Sequence, residues 1–193
     1  CHGIIGTAFA PDNQFVPNLT VGPLVVKALR NKTEKFLDVH MMVIQPEKLV
    51  EPFARAGADS ITFHIEAAED PASIIDLIKS CGCKAGLSIK PQTPLSRIYP
   101  FLSEIDIILL MTVEPGFGGQ GYIEGSNDRI RQVRNYLNEN CLTNVLIEVD
   151  GGVKLHNASE VINSGANILV AGSEVFKSED PVQTIREFYK LAD

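Results

Sequence analysis

Short apolar runs alternate along the chain with amphipathic stretches in which apolar residues recur every three or four positions. The runs are rich in β-branched residues and too short for helices, so they predict buried strands. The strands predicted in this way cover residues 37–43, 60–66, 84–89, 106–113, 145–149 and 167–171. Because a helical pattern follows each strand, the sequence predicts six strand–helix units in series.

Residues with strong capping preferences mark the ends of the predicted helices. Asp70 and Asp180 each precede a proline, the order expected of an N-cap and the first helical residue. Gly57 and Gly165 follow helical patterns, as expected of residues that terminate helices. The predicted helices cover residues 46–56, 71–81, 94–102, 128–137, 156–164 and 181–191. A further helical pattern over 23–30 requires a preceding strand, which the opening residues do not obviously supply.

Strand–helix units in series predict a parallel sheet with right-handed crossovers, which is typical of an α/β fold. The hydrophobic pattern alone does not separate a closed (β/α)8 barrel from an open doubly wound sheet. No polar linker interrupts the series, so we expect a single domain over 1–193. The length of 193 residues falls just below the roughly 200-residue lower end of a barrel.

Composition narrows the class of protein. The chain is 45% apolar and 21% charged, which predicts a soluble globular protein. The net charge of −7 argues against nucleic acid or an anionic membrane as a partner, and no apolar run is long enough for a membrane helix. Cys1, Cys81, Cys83 and Cys141 lack the spacing of a metal site, so we interpret them as reduced thiols of a cytoplasmic protein.

The carboxyl ends of the strands are where parallel α/β folds bind ligands. Asp150 closes an apolar strand there, and its carboxylate could bind a metal ion or move a proton; an aspartate of an ordinary turn is the alternative. His40 lies within a strand on the same side as Asp38 and Met42. A lone histidine in a strand is more often structural, and the same holds for His64.

Glycine-rich loops follow the last three predicted strands, at 114–120, 151–152 and 172–173. Such loops let backbone N–H groups close around an anion, and together they predict a phosphate site, although each alone could be a simple turn. The chain has neither a P-loop nor the dinucleotide-binding fingerprint, so nucleotide chemistry is not expected.

Four strings carry a family resemblance. They are FVPNLTVGP at 15–23, DVHMMV at 38–43, MTVEPGFGGQ at 111–120 and EVDGG at 148–152. In this order and spacing they resemble ribulose-phosphate 3-epimerase over about nine-tenths of the chain.

The resemblance implies a (β/α)8 TIM barrel that interconverts D-ribulose 5-phosphate and D-xylulose 5-phosphate in the pentose phosphate pathway. The family moves a proton at C3, using one acid/base on each face of the substrate. One divalent metal ion (Zn, Fe, Mn or Co) stabilises the enediolate. The resemblance also implies a homo-oligomer whose partner is a small-molecule pentulose 5-phosphate.

Residue roles follow from the same motifs. Asp150 matches a catalytic acid/base that is also a metal ligand, and His40 matches a second metal ligand. Other positions match residues of the family that line the substrate and its phosphate. The full substrate-binding set is His40, Met42, Met111, Gly116, Phe117, Gly118, Gly119, Gly151, Gly152, Gly172 and Ser173.

The opening segment departs from the family, and residues 1–14 are atypical. Where the family has a metal-binding histidine and the second catalytic aspartate, this chain has Thr7 and Phe9, while Asp12 matches a later aspartate. We therefore expect strand 1, helix 1 and strand 2 of the barrel to be truncated or altered. A catalytically impaired barrel that retains sugar-phosphate or partner binding is the alternative. A related decarboxylase is disfavoured, because His40 stands where that group has a lysine.

Overall fold

Seven parallel strands form one sheet in the computed structural model, which describes residues 3–7, 21–114 and 120–191. Each strand pairs with the next one along the chain, in the order β1 to β7. The strands are β1 (Gly3–Thr7), β2 (Leu37–Met41), β3 (Ser60–His64), β4 (Lys84–Ile89), β5 (Ile107–Met111), β6 (Leu146–Asp150) and β7 (Ile168–Val170).

Helices connect the described strands, except between β4 and β5, and two further helices follow β7. Neighbouring helices contact one another in an outer layer. They are α1 (Pro23–Arg30), α2 (Glu47–Ala56), α3 (Pro71–Ser80), α4 (Ser126–Glu139), α5 (Leu155–Asn163), α6 (Gly172–Phe176) and α7 (Pro181–Lys190). Serial parallel strands with helices on the outside are the arrangement of a curled α/β sheet.

The six strands predicted from hydrophobic runs are confirmed, with ends that differ by a few residues. The doubt about a strand before α1 was wrong, because Gly3–Thr7 forms β1 and pairs in parallel with Leu37–Met41. The helix predicted over 94–102 is instead two 3-10 turns, at Leu95–Arg97 and Tyr99–Phe101. Pro100 lacks a backbone N–H donor, which an α-helix would need at that point.

Helix capping agrees with the sequence. The Asp70 side chain accepts a hydrogen bond from the backbone N–H of Ser73 at 3.3 Å, and Asp180 accepts one from Gln183 at 2.9 Å. Such caps satisfy donors that a helix leaves unpaired at its start. The five-residue helix α6 was not predicted, because the sequence there reads as a loop after the last strand.

The apolar core lies between the sheet and the helices, but the inner face of the sheet is unusually polar. Branched apolar residues commonly fill the interior of a barrel. Here β2, β3, β4 and β6 instead place buried polar side chains at Asp38, His40, Ser60, Thr62, His64, Ser88 and Glu148. Polar groups buried without need are costly, so this row marks the inner face as the place to look for a site.

At the amino ends of β2 and β3, the side chain of Arg30 in α1 links two neighbouring strand–helix units by hydrogen bonds. Its guanidinium donates to the carbonyl of Gly57 at 3.0 Å and pairs with the Asp59 carboxylate. The same carboxylate accepts the backbone N–H of Leu37 at 2.6 Å, where β2 begins. We call this set the first amino-end clamp.

A second amino-end clamp repeats the arrangement at the amino ends of β6 and β7. Arg134 of α4 donates to the Gly165 carbonyl at 2.9 Å and to the Asn167 side chain at 2.5 Å. Asn167 in turn accepts the backbone N–H of Ile147 at 3.0 Å. The repeat explains the similar strings AGAD at 56–59 and SGAN at 164–167, because each supplies the same two acceptors.

Both clamp glycines adopt backbone angles that favour glycine. Gly57 has φ +101° and Gly165 has φ +118°. A Cβ atom at Gly57 would lie 2.7 Å from the Arg30 side chain, and one at Gly165 would lie 2.7 Å from Arg134. The helix ends therefore need glycine for conformation and for the close approach of the arginine.

Among the described cysteines, Cys81, Cys83 and Cys141 are free thiols, as the sequence predicted. Cys83 is buried and donates to the carbonyl of Ala58 at 3.3 Å, and burial raises its pKa to about 11. Such a thiol is unreactive at neutral pH. Within the described ranges, no helix has the length and apolar character needed to cross a membrane.

Candidate active site

Asp150 is the last residue of β6 and reaches the carboxyl edge of the sheet. In the strand register it lies between Met111 of β5 and Val170 of β7. Its side chain is 21% exposed, in contrast to the buried residues below it. The strand therefore presents a carboxylate at the place where parallel α/β folds bind ligands.

His40 of β2 lies beside that carboxylate. Its Nδ1 atom is 3.3 Å from Oδ2 of Asp150, although the two residues are on strands far apart in the sheet order. The His40 side chain is 1% exposed. The curl of the sheet therefore brings the two residues singled out from the sequence into direct contact.

His64 of β3 contacts the other side of the His40 ring. The two Nε2 atoms are 2.8 Å apart, and the rings stack with their centroids 5.0 Å apart. At that distance one Nε2 donates its proton and the other accepts it. The expectation that His64 is a structural histidine stays a prediction, and the structure adds its direct contact with the candidate metal ligand.

Glu66 completes the row beyond His64. Its Oε2 atom lies 3.4 Å from Nδ1 of His64. Its other oxygen, Oε1, accepts the backbone N–H of Lys90 at 2.8 Å and the hydroxyl of Thr93 at 2.5 Å. We call Asp150, His40, His64 and Glu66 the histidine relay.

The electrostatics of the inner end of the relay follow from burial and hydrogen bonding. Burial lowers the pKa of His64 to about 4, against the opposing effect of Glu66. Burial alone would raise the pKa of Glu66, but hydrogen bonds from His64, Thr93 and Lys90 outweigh it and bring that pKa down to about 2. At neutral pH the relay therefore has an ionised Glu66 beside a neutral His64.

The loop that holds Glu66 is itself held from outside. Arg129 of α4 donates to the carbonyls of Lys90 and Thr93, at 3.3 and 3.0 Å. A helix on the outer layer thus fixes the loop that positions Glu66, and Glu66 in turn contacts His64.

A second polar group lies deeper on the inner face. The Ser60 hydroxyl donates to Oδ1 of Asp38 at 2.5 Å. Glu148 is fully buried nearby, and both burial and the neighbouring Asp38 carboxylate raise its pKa well above the ordinary value. These buried polar residues form a floor below the relay.

Met42 and Met111, which the resemblance places among the substrate-binding residues, belong to one apolar group. Met42 packs against a small apolar cluster formed by Leu109, Met111 and Val113, separate from the main core. Met111 is the register partner of Asp150. An apolar wall therefore adjoins the candidate acid/base.

Gly151 and Gly152 adopt φ +123° and +66° directly after Asp150. A Cβ atom at Gly151 would lie 2.5 Å from Val113, and one at Gly152 would lie 2.5 Å from the backbone of Tyr122. The Thr112 hydroxyl also donates to the Gly151 carbonyl at 2.5 Å. These glycines let the loops after β5 and β6 pack closely at the carboxyl edge.

The other predicted loop residues divide into two groups. Gly172 and Ser173 form the first turn of α6, and a Cβ atom at Gly172 would meet open space. Thr7 ends β1 and pairs in register with Met41, while its side chain lies outside the description. Several predicted residues lie outside the described ranges altogether: Phe9, Asp12, Gly116, Phe117, Gly118 and Gly119.

A model of the ribulose-phosphate 3-epimerase family matches residues 10–176. This chain belongs to that family. The ribulose-phosphate 3-epimerase of Serratia marcescens is 49% identical over 170 residues, or 88% of this chain and 80% of the relative. That of Bacillus subtilis is 45% identical over 176 residues, or 91% and 81%. The resemblance inferred from the four motifs is confirmed, and by family the chain is an isomerase of the pentose phosphates.

Solved structures confirm the predicted (β/α)8 TIM-barrel class. The KGPDC of Streptococcus mutans matches with a TM-score of 0.70, over 98% of this chain and 84% of that one, at 12% identity. A 3-hexulose-6-phosphate synthase matches with a TM-score of 0.68, over 88% and 80%, at 19% identity. At such identities the likeness concerns the fold alone. It decides between the two architectures that the hydrophobic pattern left open.

The family resemblance predicts a divalent metal ion, so we ask whether the described side chains could hold one. Within the described residues, no group of three or more His, Cys, Asp or Glu side chains is arranged to hold a metal. His40 and Asp150 nevertheless place a ring nitrogen and a carboxylate oxygen side by side at 3.3 Å. Nitrogen and oxygen donors of this kind suit a divalent transition metal, so the described residues fit half of a metal site.

Sequence reasoning did not predict the contacts of His64 and Glu66. The signal was available in the strand period, because Ser60, Thr62 and His64 alternate along a strand that is otherwise apolar. Three polar residues on one face of a buried strand predict a polar interior. Their contact with His40 could not be derived in the same way, since it depends on how β2 and β3 are paired.

Proposed function

We propose that this chain catalyses the interconversion of D-ribulose 5-phosphate and D-xylulose 5-phosphate by proton transfer at C3. The observation that carries the proposal is the contact between Asp150 and His40 at the carboxyl edge of the sheet. Both residues belong to motifs of the family to which the chain belongs. The substrate is a small-molecule pentulose 5-phosphate.

Asp150 is the acid/base in this proposal. Proton removal beside a ketone needs a base within hydrogen-bond reach of C3, and a carboxylate at the edge of the sheet is accessible to such a substrate. The hydrogen bond from Thr112 to Gly151 holds the turn behind it. Asp150 takes the proton from one face of C3, and the epimer forms when a solvent proton is delivered to the opposite face, since Phe9 occupies the sequence position of the family's second acid/base.

His40 and Asp150 would hold one divalent ion, for which Zn, Fe, Mn and Co are the candidates. When bound, such an ion supplies positive charge next to the enediolate oxygen. The residues themselves orient the site, because His40 is buried and its ring is fixed by contact with His64.

The glycine loops bind the phosphate in this proposal. Gly151 and Gly152, together with Gly172 and Ser173, follow neighbouring strands and lie at one edge of the sheet. Backbone N–H groups in such loops bind phosphate oxygens without needing a basic side chain. The predicted residues Gly116, Phe117, Gly118 and Gly119 complete the proposed phosphate loops. Met42 and Met111 provide an apolar wall that restricts water around the enediolate.

The test is exchange of the C3 proton of ribulose 5-phosphate in deuterated solvent, with Zn²⁺, Fe²⁺ or Mn²⁺ added. We expect deuterium at C3 and formation of xylulose 5-phosphate, both lost in Asp150→Asn. A protein that binds the phosphate ester yet incorporates no deuterium would contradict the proposal.

The metal is tested separately. His40→Ala should lower the metal content of the purified protein, measured by elemental analysis after loading with Zn²⁺. His156→Ala is the matched control, because His156 is exposed on α5, away from the relay. Unchanged metal content in His40→Ala would remove His40 from the ligand set.

A second candidate is a barrel that binds a sugar phosphate without turning it over. The sequence favours it at one point, because Phe9 stands where the family has its second catalytic aspartate and offers no group that transfers protons. The same exchange experiment separates the two, since this candidate predicts ester binding without exchange.

We also propose a single-domain, cytoplasmic, homo-oligomeric protein. Within the described residues, β1 and β7 each pair on one side only, and a strand edge of that kind readily pairs with another chain. Sedimentation equilibrium should give a mass that is a multiple of 21.1 kDa. A monomer at micromolar concentration would contradict the oligomer.

A further inference from the structure

Thr112 lies directly after β5 and contacts the turn that follows Asp150. It is 1% exposed. Its backbone N–H donates to the Asp150 carbonyl at 2.9 Å, which extends the pairing of β5 with β6 by one residue. Its hydroxyl donates to the Gly151 carbonyl at 2.5 Å and lies 3.1 Å from the Asp150 carbonyl. One buried residue therefore holds two successive carbonyls at the start of the turn.

The same residue closes the base of the loop that follows β5. The Thr112 carbonyl accepts the backbone N–H of Ile123 at 2.9 Å, so the two ends of the loop meet there. Within this base, the Gln120 side chain donates to the carbonyl of Glu114 at 2.7 Å. The loop at 114–120, which carries predicted phosphate-binding glycines, therefore has its base joined through Thr112 to the turn after β6.

The turn after β6 needs contacts from outside to keep one conformation. Gly151 and Gly152 have φ +123° and +66°, and glycine adopts many backbone conformations at little cost. Val113 and Tyr122 confine the turn, since a Cβ atom on either glycine would lie 2.5 Å from one of them. Packing limits where the turn lies, whereas a directed hydrogen bond fixes how its peptide groups are oriented. Among the described residues, the Thr112 hydroxyl is the donor that reaches the Gly151 carbonyl.

The orientation of this turn affects Asp150, because the turn begins at the backbone carbonyl that Thr112 holds. The carboxylate branches from the Cα atom next to that carbonyl, so a rotation of the turn displaces the carboxylate. A base must lie within hydrogen-bond reach of the proton that it removes, and a displacement of about 1 Å can lower the rate about 100-fold. The hydroxyl therefore acts on a distance to which the proposed proton transfer is sensitive.

We propose that Thr112 is a positioning residue for proton transfer, because its hydroxyl fixes the turn after Asp150 and thereby aligns the carboxylate with C3 of the substrate. The inference rests on the proposed function, since it takes Asp150 as the acid/base. Thr112 acts through Asp150 and takes no part in the proton transfer itself. Its backbone hydrogen bonds belong to the fold, so the hydroxyl alone has the proposed role.

Two variants separate the hydroxyl from the rest of the side chain. Thr112→Val removes the hydroxyl and keeps the branched shape, whereas Thr112→Ser keeps the hydroxyl. We expect kcat for ribulose 5-phosphate to fall by about 10–100-fold in Thr112→Val and to return close to the parent value in Thr112→Ser. The KM and the affinity for an unreactive phosphate ester should stay near those of the parent. Both variants keep the backbone bond from Ile123 and the N–H groups of the loops.

Thr184→Val is the matched control for a merely structural role. Thr184 of α7 is 8% exposed, and its hydroxyl donates to the carbonyl of Asp180 at 3.0 Å. The control therefore also removes a buried hydroxyl from a backbone carbonyl, but away from the carboxyl edge of the sheet. Urea unfolding should show similar losses of stability in Thr184→Val and Thr112→Val, and kcat should fall only in Thr112→Val. Equal losses of kcat in the two variants, or a loss that Thr112→Ser does not restore, would overturn the inference.

A readout without substrate tests the turn itself. We expect ¹⁵N relaxation to give order parameters of about 0.85 for the amides of Gly151 and Gly152 in the parent, in Thr112→Ser and in Thr184→Val, and lower values in Thr112→Val. Unchanged order in Thr112→Val would overturn the inference whether or not the parent is active. Reduced order with an unchanged kcat would overturn it as well, because Asp150 would then be positioned by other contacts.

The parent protein alone supplies one further check, which does not depend on any variant folding. The Ile123 amide, which donates to the Thr112 carbonyl, should exchange slowly with deuterated solvent. Fast exchange would show that the base of the loop is open and would overturn the inference. A parent with the expected amide order and slow exchange that incorporates no deuterium at C3 would instead contradict the proposed function, and the relaxation of Thr112→Val would still decide whether the hydroxyl fixes the turn.

Discussion

The amino-end clamps and the histidine relay lie at opposite ends of the same strands and use hydrogen bonds differently. In the clamps, arginine and backbone N–H groups donate to carbonyl and side-chain oxygen atoms. In the relay, two histidine rings lie in a row between two carboxylates. One end joins neighbouring units by ordinary hydrogen bonds, and the other gathers titratable side chains from distant strands.

The clamps also repeat, whereas the relay does not. Arg30 and Arg134 make equivalent contacts in two different units, because each clamp needs only a helix, a glycine and the start of the next strand. The relay draws on β2, β3 and β6 and arises once within the described residues. A repeated local arrangement is typical of a structural role, and a unique arrangement assembled from distant strands is typical of a site.

The largest expected effect is at the functional end. Asp150→Asn should lower epimerase turnover by about 10²–10⁴-fold, the usual contribution of a general acid/base. Affinity for a phosphate ester should be retained, because the backbone of the loops is unchanged. Kinetics and calorimetry with an unreactive phosphate ester measure the two separately. If turnover and phosphate-ester affinity fell equally, the separate roles of Asp150 in proton transfer and of the loops in phosphate binding would be contradicted.

The next effect is at the structural end. Gly165→Ala should lower the free energy of unfolding by about 2–3 kcal/mol, because alanine is strained at φ +118° and its Cβ crowds Arg134. Gly82→Ala is the matched control, since Gly82 has φ +80° but open space around it, and should cost about 1 kcal/mol. Urea unfolding measures both. Equal losses would show that the contact with arginine contributes nothing.

A smaller effect is expected from the arginines themselves. Arg134→Met removes the hydrogen bonds to Gly165 and Asn167 and should cost about 1 kcal/mol of unfolding free energy. Arg30→Met should cost a similar amount, because it removes the equivalent bonds of the first clamp. Neither should change the metal affinity of the folded protein. A change in affinity would show that the two ends of the strands are coupled.

The smallest effect concerns the floor below the relay and depends on pH. The folded state raises the pKa of Glu148 above its ordinary value of 4.5. Its contribution to stability is therefore fully present below that value and is lost as pH rises through the folded pKa. Glu148→Gln should weaken the decline in stability on the alkaline side, measured by urea unfolding across pH. A steeper alkaline decline in the variant would contradict a raised pKa for Glu148.

Much of this architecture could be predicted from short stretches of sequence. The strand from Lys84 to Ile89, the helix from Pro23 to Arg30 and the caps at Asp70 and Asp180 follow from apolar period and local backbone preferences. These features depend on neighbours a few residues apart, so the sequence contains all that they need. The two 3-10 turns that replace a predicted helix are the exception, where proline overrides a helical pattern.

The candidate site is only partly predictable in this way. Asp150 and His40 were identified because their motifs resemble those of a family. The predicted strand boundaries then indicated the edge of the sheet at which they lie. The contact of His64 with His40 was not predicted, because 24 residues separate the two along the chain.

The sequence by itself determined six of the seven described strands in their order, most of the helices, the family and the edge of the sheet that carries Asp150. The tertiary structure decided which polar side chains meet on the inner face. Parallel pairing of β2 with β3 and the curl that brings β6 back toward β2 place two histidines between two carboxylates. Local backbone preferences cannot predict that arrangement, because it depends on contacts between residues that are far apart in the sequence. Those residues are largely buried, so their polar groups must find partners in one another and not in water.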